Sequence, residues 1–122
     1  MLLPDDLAAG RLFLPLGRQA SEVAAIAYLD AAHGLLGMRH VVGARSWLHF
    51  PIRSIVRDAL SLDARGVVMA HNHPSGHAEP STADLTFTRR LALCLEAMDI
   101  HLLDHLVIAG ESMTSLRAAG VL

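Results

Sequence analysis

Apolar and polar positions divide the chain into a short series of strands and helices. From Glu22 to Leu29 the sequence is almost wholly apolar and includes Val23, Ile26 and Tyr28, which predicts a buried strand. It stops at Asp30-Ala31-Ala32-His33-Gly34, residue types that favour a hairpin turn, and residues 35–42 predict a second strand folding back on the first. Between Pro51 and Leu62 the period changes. Ile52, Ile55, Val56, Ala59 and Leu60 recur at three and four, the spacing of one helix face.

Gly66 then opens Val67-Val68-Met69-Ala70-His71, a short apolar run that predicts a central strand. Pro74, Gly76 and Pro80 make residues 74–80 a loop, and Ser81 starts a long helix to about Met98, with Leu85, Leu91, Leu95 and Met98 on its inner side. Ile100 to Ala109 predicts a further strand, Gly110-Glu111 a turn, and Met113 to Leu116 one more strand. Residues 1–20 read as a helical turn from Pro4 to Ala9 followed by irregular chain. Strands and helices alternate without strict βαβ repetition. The expected fold is therefore one α+β domain over residues 1–122, a mixed sheet flanked by helices, with 1–20 as a short leading segment.

With 122 residues, 52% of them hydrophobic, the chain can build a single core without disulfide staples. Cys94 is the only cysteine; inside an apolar helical run it is expected to be a small buried hydrophobe. No basic stretch leads into an apolar segment, and no run approaches the ~20 apolar residues that cross a bilayer, so a soluble cytoplasmic protein is expected. Net charge is −2, and the ten basic residues, all Arg, are scattered from Arg11 to Arg117. That is not the dense basic face of an autonomous nucleic-acid binder. The absence of Lys follows more simply from codon bias than from binding chemistry.

The chemistry concentrates near residue 71. His71 and His73 stand at i and i+2 at the end of a predicted strand, where alternate side chains leave one face and both imidazoles can reach one ion. After ten intervening residues, Asp84 falls in the first turn of the next helix and can add a carboxylate oxygen. Two imidazoles and one carboxylate make three protein ligands, and tetrahedral Zn²⁺ so held keeps its fourth position for water, whose pKa falls to about 7. His-x-His alone is a weak signal in a chain with eight histidines; the combination with Ser81-x-x-Asp84 is a strong one. Ser81 and Asp84 also match a helix N-cap with an acid at the third helical position, a role compatible with ligation.

The residues His71-Asn72-His73-Pro74-Ser75-Gly76 and Pro80-Ser81-Thr82-Ala83-Asp84 resemble the signature of the JAMM (MPN-plus) metalloprotease superfamily. They resemble its RadC-like branch more closely, in which a later Leu-Asp-His precedes an apolar strand, as Leu103-Asp104-His105-Leu106-Val107-Ile108 does here. The resemblance runs over roughly residues 20–122. It implies a three-layer JAMM/MPN fold of the cytidine-deaminase-like kind, Zn²⁺ held by His71, His73 and Asp84, and a Ser81 hydroxyl serving the developing oxyanion. The superfamily's early acidic residue falls on Glu22, which would act as general base. An acid opening an otherwise apolar strand also needs water, a donor or a metal to be stable there. Glu79, in the loop beside the ligands, is the rival base.

Two departures stand out. Where the branch commonly has Pro-Arg-Glu before its first long helix, this chain has Ile52, Arg53 and Ser54. The 20 leading residues are too few for the helix-hairpin-helix region of full-length members, so a nucleic-acid role for this chain alone is not expected. His101, Asp104 and His105 look ligand-like, but Asp104 and His105 lie on opposite faces of a strand, so one of them at most supports a ligand directly. His77 in the loop faces substrate or solvent, and His33, His40 and His49 carry no assigned role. The expected function is zinc-dependent hydrolysis of an amide or isopeptide bond in a peptide or protein. The alternative is a non-enzymatic module in DNA repair or protein recognition, and the residues alone leave a phosphoester substrate open.

Overall fold

The computed structural model describes residues 12–42 and 50–122. The expected turn at Pro4–Ala9 and His49 lie outside them. Five strands form one mixed sheet in the order β2-β1-β3-β4-β5, with β1 at Val23–Leu29, β2 at Leu35–Val42, β3 at Gly66–Asn72, β4 at His101–Ala109 and β5 at Ser112–Ser115. β1 pairs antiparallel with both β2 and β3, β3 runs parallel to β4, and β5 returns antiparallel on β4. Helix α1 (Ile52–Ser61) connects β2 to β3, and α2 (Thr82–Glu96) makes the crossover between the parallel strands β3 and β4. This is the α+β architecture expected from the pattern of the chain.

Both helices cover the same face of the sheet. Ile55 and Ala59 of α1 and Phe87, Leu91 and Leu95 of α2 pack on Ala24, Ile26, Tyr28, Val67, Met69 and Leu102. The opposite face, with Ala25, Ala27, Leu29, Val68, Ala70, Leu106 and Ile108, is covered by Leu12, Phe13 and Leu16 around a 3-10 turn at Leu14–Arg18. The third layer is thus this leading turn, in a stretch expected to be irregular. Gly17 permits its close approach: a Cβ there would lie 2.0 Å from the Gly110 carbonyl oxygen, in the β4–β5 turn.

β1 and β3 are buried along their whole length, which explains their near-continuous apolar runs. The β1–β2 turn is closed by Asp30, whose Oδ1 accepts from the backbone N–H groups of Ala32 and Gly34 at 2.9 and 2.8 Å. Three expectations about α2 need correction. Cys94 is exposed, because it lies at the edge of the apolar stripe beside the groove to α1 rather than under it. Met98 is also exposed, since the helix ends at Glu96 and the period ends with it. Leu85, also expected on the inner side, is only half-buried, and Phe87 is the apolar residue buried in that part of the helix.

A candidate metal centre at the strand-helix junction

The two histidines and the aspartate meet where β3 ends and α2 begins. Val67 and Met69 face the helices, so His71, two further along the pleat, faces them too. The backbone N–H of His73 donates to the Ile108 carbonyl at 2.8 Å, holding it beside β4 just past the strand end. Asp84 is presented by a capping box: Ser81 Oγ accepts from the Asp84 N–H at 3.0 Å, and Asp84 Oδ2 accepts from the Ser81 N–H at 2.8 Å. The cap therefore fixes the rotamer of the carboxylate.

Among the described residues, His71, His73 and Asp84 form a group able to hold a metal ion. His71 Nε2 lies 3.0 Å from His73 Nε2 and 3.4 Å from Asp84 Oδ1, and His73 Nε2 lies 3.2 Å from Asp84 Oδ2. A tetrahedral ion with bonds of about 2.0–2.1 Å needs donor–donor edges of about 3.3 Å. The contacts are near that length, with each imidazole nitrogen meeting a different oxygen of the carboxylate, and one ligand atom from each of the three residues lies within 4.8 Å of the others. His71 and Asp84 are buried, while the His73 side chain is 19% exposed, so the centre opens to solvent on the His73 side.

Hydrogen bonds behind the ligands orient them. His73 Nδ1 is 2.9 Å from the His77 carbonyl, an acceptor only, so Nδ1 carries a proton and Nε2 is the atom turned to the centre. His71 Nδ1 is 2.8 Å from His105 Nε2, and His105 Nδ1 is 2.5 Å from Thr88 Oγ1, which donates to the Asp84 carbonyl at 2.7 Å. Burial, and then the neighbouring His71, push the His105 pKa down to about 3, so this ring is neutral. Burial works against ionisation of Asp84, yet the His71 ring and the Ser81 donors outweigh it and hold the carboxyl well below the usual carboxylate range. Two ring nitrogens 3.0 Å apart beside a carboxylate form a donor set that suits a cation.

Glu22 immediately precedes β1 and is half-buried. The β1–β3 register pairs Ala24 with His71; carried two residues on, it sets Glu22 opposite His73, and cross-strand partners share a face. Asn72, facing the other way, accepts from the Val23 N–H at 2.6 Å and donates to the Ser21 and Gln19 carbonyls at 2.9 and 3.3 Å. It thereby ties the chain on both sides of Glu22 to the histidine strand. Glu79 lies exposed in the loop.

The sequence matches the RadC-like JAB domain over residues 6–121. The chain belongs to the RadC-like JAB family. It is 40% identical over 112 residues to a UPF0758 protein of Leptothrix cholodnii, covering 91% of this chain and 50% of that protein. It is 41% identical over 100 residues to a UPF0758 protein of Acidithiobacillus ferrooxidans, covering 81% of this chain and 45% of that one. The chain thus spans about half the length of these relatives.

Within this RadC-like domain the remaining candidates separate cleanly. His105 touches the ligand His71, whereas Asp104 accepts from its neighbour's N–H, from the Arg117 N–H and from the Ser115 hydroxyl, bracing backbone. His101 is exposed at the opposite end of the sheet, beside Gly66. His77 contributes its backbone carbonyl to His73, and His33 occupies a left-handed turn position at φ 66°. Thr88 was not singled out by the sequence. A threonine four residues after Asp84, on the helix face that carries the ligand, is the signal that marks it.

Proposed function

We propose that this domain is a zinc-dependent hydrolase that cleaves an amide or isopeptide bond in a peptide or protein substrate. The observation that carries this reading is the convergence of ligand atoms from His71, His73 and Asp84 within 4.8 Å of one another, open on the His73 side. His71, His73 and Asp84 would hold the ion. Zinc bound there supplies Lewis-acid polarisation of a carbonyl and a water acidified to about neutral pH. The Glu22 carboxylate would take a proton from the attacking water and pass it to the leaving amine. The Ser81 hydroxyl, which accepts from the Asp84 N–H, keeps its own proton to donate to the developing oxyanion. The choice of an amide rests on membership of the JAB family, whose superfamily includes hydrolases. A nucleic-acid substrate is disfavoured by the net charge of −2.

The test is metal analysis of the purified protein followed by digestion of a peptide and isopeptide library. Wild type is expected to carry one Zn²⁺ and to turn over. Glu22→Gln should keep the metal and lose about 10²–10⁴-fold in kcat. Stoichiometric zinc with no turnover of any library member by wild type would instead make the domain a recognition module.

A further inference from the structure

We infer that Arg117 is a positioning residue for the metal centre: it latches a bulge in β4 that turns His105, and not Asp104, against the ligand His71. The inference deepens the metal-site reading above and rests on it for its affinity arm.

The β3–β4 register pairs Val67 with Leu102 but Val68 with Asp104, so one extra residue bulges at Leu103. Leu102 packs under the helices, and regular alternation from it would turn Asp104 toward them as well. The bulge reverses the parity of the rest of the strand. His105 faces the helices beside Met69 and His71, while Leu106 and Ile108 fill the opposite face. Fully buried there, the His105 ring is wedged between His71 and Thr88: Nε2 lies 2.8 Å from His71 Nδ1, and Nδ1 lies 2.5 Å from Thr88 Oγ1. These contacts limit rotation of the His71 ring whichever atoms carry the protons. The orientation of a ligand thus depends on one extra residue in a neighbouring strand.

Arg117 reads that irregularity directly. In a regular strand consecutive carbonyls point to opposite edges. Here the carbonyls of Leu102 and Leu103 both accept from one guanidinium, Leu103 from Arg117 Nε and Leu102 from its terminal nitrogen at 2.9 Å. An arginine side chain has no acceptor, so the direction of both bonds is fixed. β5 pairs with β4 only from Leu106 to Ala109, and the Arg117 side chain takes the place of a neighbouring strand beside Leu102 and Leu103. The segment that carries it is tied to the residues just past the bulge. The Leu116 N–H donates to the His105 carbonyl at 3.0 Å, and Asp104 accepts from the Arg117 N–H at 3.1 Å and the Ser115 hydroxyl at 2.6 Å. Asp104 also accepts the His105 N–H at 2.7 Å. A forked donor suits a bulge because successive carbonyls share an edge there; a lysine ammonium is a single point and lacks the fork. Burial of Leu106 and Ile108 opposes a complete slip of the strand, so loss of the latch loosens the bulge and the His105 ring with it.

The test reads zinc affinity by competition with a chelating dye, and native-state amide hydrogen exchange in the zinc-free protein. Arg117→Met keeps an unbranched apolar stem without a donor. It should raise zinc Kd about 10-fold, the low end of what residues behind a ligand contribute. Exchange at the His105 and Leu106 amides should quicken about 10-fold more than at the α1 amides. Arg117→Lys should recover part of both. Asp58→Asn, a weakening on the α1 side, should leave zinc Kd within about threefold of wild type; an equal rise there would make Arg117 a general stabiliser and overturn the inference. In a His105→Ala background Arg117→Met should cost little further zinc affinity, because its effect runs through that ring. A full further loss in that background, or a zinc Kd within about threefold of wild type in Arg117→Met itself, would overturn the latch. If the methionine variant does not unfold cooperatively, Ser115→Ala, which removes one donor to Asp104, carries the same comparisons. A wild type that binds no zinc would sink the metal-site reading, and exchange alone would then decide the latch: faster exchange confined to Asp104–Leu106 in Arg117→Met supports it, and a uniform change overturns it.

Discussion

Asn72 lies between two ligand histidines, yet its bonds all go to the segment that carries Glu22. Its Oδ1 receives the Val23 N–H, and its amide donates to the Ser21 and Gln19 carbonyls. Asn72→Asp keeps the acceptor and sets a carboxylate oxygen against two carbonyls, at an expected cost of about 2 kcal/mol in stability. Because Glu22 sits between the tied residues, kcat should fall at least about tenfold, with KM and zinc content near wild type. The diagnostic measurement is the double variant: Asn72→Asp should cost little further activity once Glu22 is Gln. Full additivity of the two losses would show that Asn72 acts on something other than the base. The residues that made the centre legible in the sequence were those whose side chains converge there and whose spacing follows the pleat and the helix turn: His71, His73 and Asp84, with Ser81 as the cap that presents Asp84. The His77 contribution was not legible, because a backbone carbonyl leaves no trace in residue type.

At the scale of elements, strands and helices followed the periods of the chain, and errors arose where a period was interrupted. The bulge at Leu103 leaves Asp104 and His105 on opposite faces, as any strand would, but which of them faces the metal centre is decided by the extra residue. A pattern of residue types does not count pairing partners. The join between α1 and the β1–β2 hairpin was equally silent. There Asp58 accepts two bonds from Arg39, at 2.6 and 2.8 Å, and one from the Tyr28 hydroxyl at 2.8 Å, while the guanidinium sits 5.3 Å from the Phe50 ring centre. The Arg39 pairing holds the Asp58 carboxyl below its ordinary value. A carboxylate depressed in the folded state stabilises above its unfolded pKa of about 3.9, and that stabilisation fades as pH falls through the lower folded value. Denaturant unfolding should therefore weaken below about pH 4 in wild type, by roughly 1–2 kcal/mol after discounting for an Arg39 side chain that is 40% exposed. Asp58→Asn should be weaker at neutral pH and should lack that share of the acid loss. An identical acid profile in both proteins would remove the clamp from the account.

Taken whole, the molecule builds its core without help from the metal centre. Apolar clusters fill both faces of the sheet, with Leu91, Leu95 and Ile55 fully buried on one and Leu29, Leu106 and Ile108 on the other. The centre adds one junction, from the end of β3 to the start of α2, two elements already joined by the loop between them. Metal removal should therefore weaken a fold that persists, unlike small zinc domains that unfold on chelation. With free zinc at about 1,000 times its Kd, binding to the folded state alone contributes about 4 kcal/mol, roughly 10–15 °C in Tm for a chain of this size. Thermal melts followed by circular dichroism, with zinc and with chelator, should show two cooperative transitions separated by about that interval. In His71→Ala the transition should not respond to zinc. A chelated wild type with no cooperative transition would mean that the metal nucleates the fold; an unchanged Tm would mean that the centre holds no ion that matters to the folded state. Since the relatives are about twice as long as this chain, the same melts on a full-length relative would show a second, zinc-insensitive transition if the rest of it folds as a separate unit.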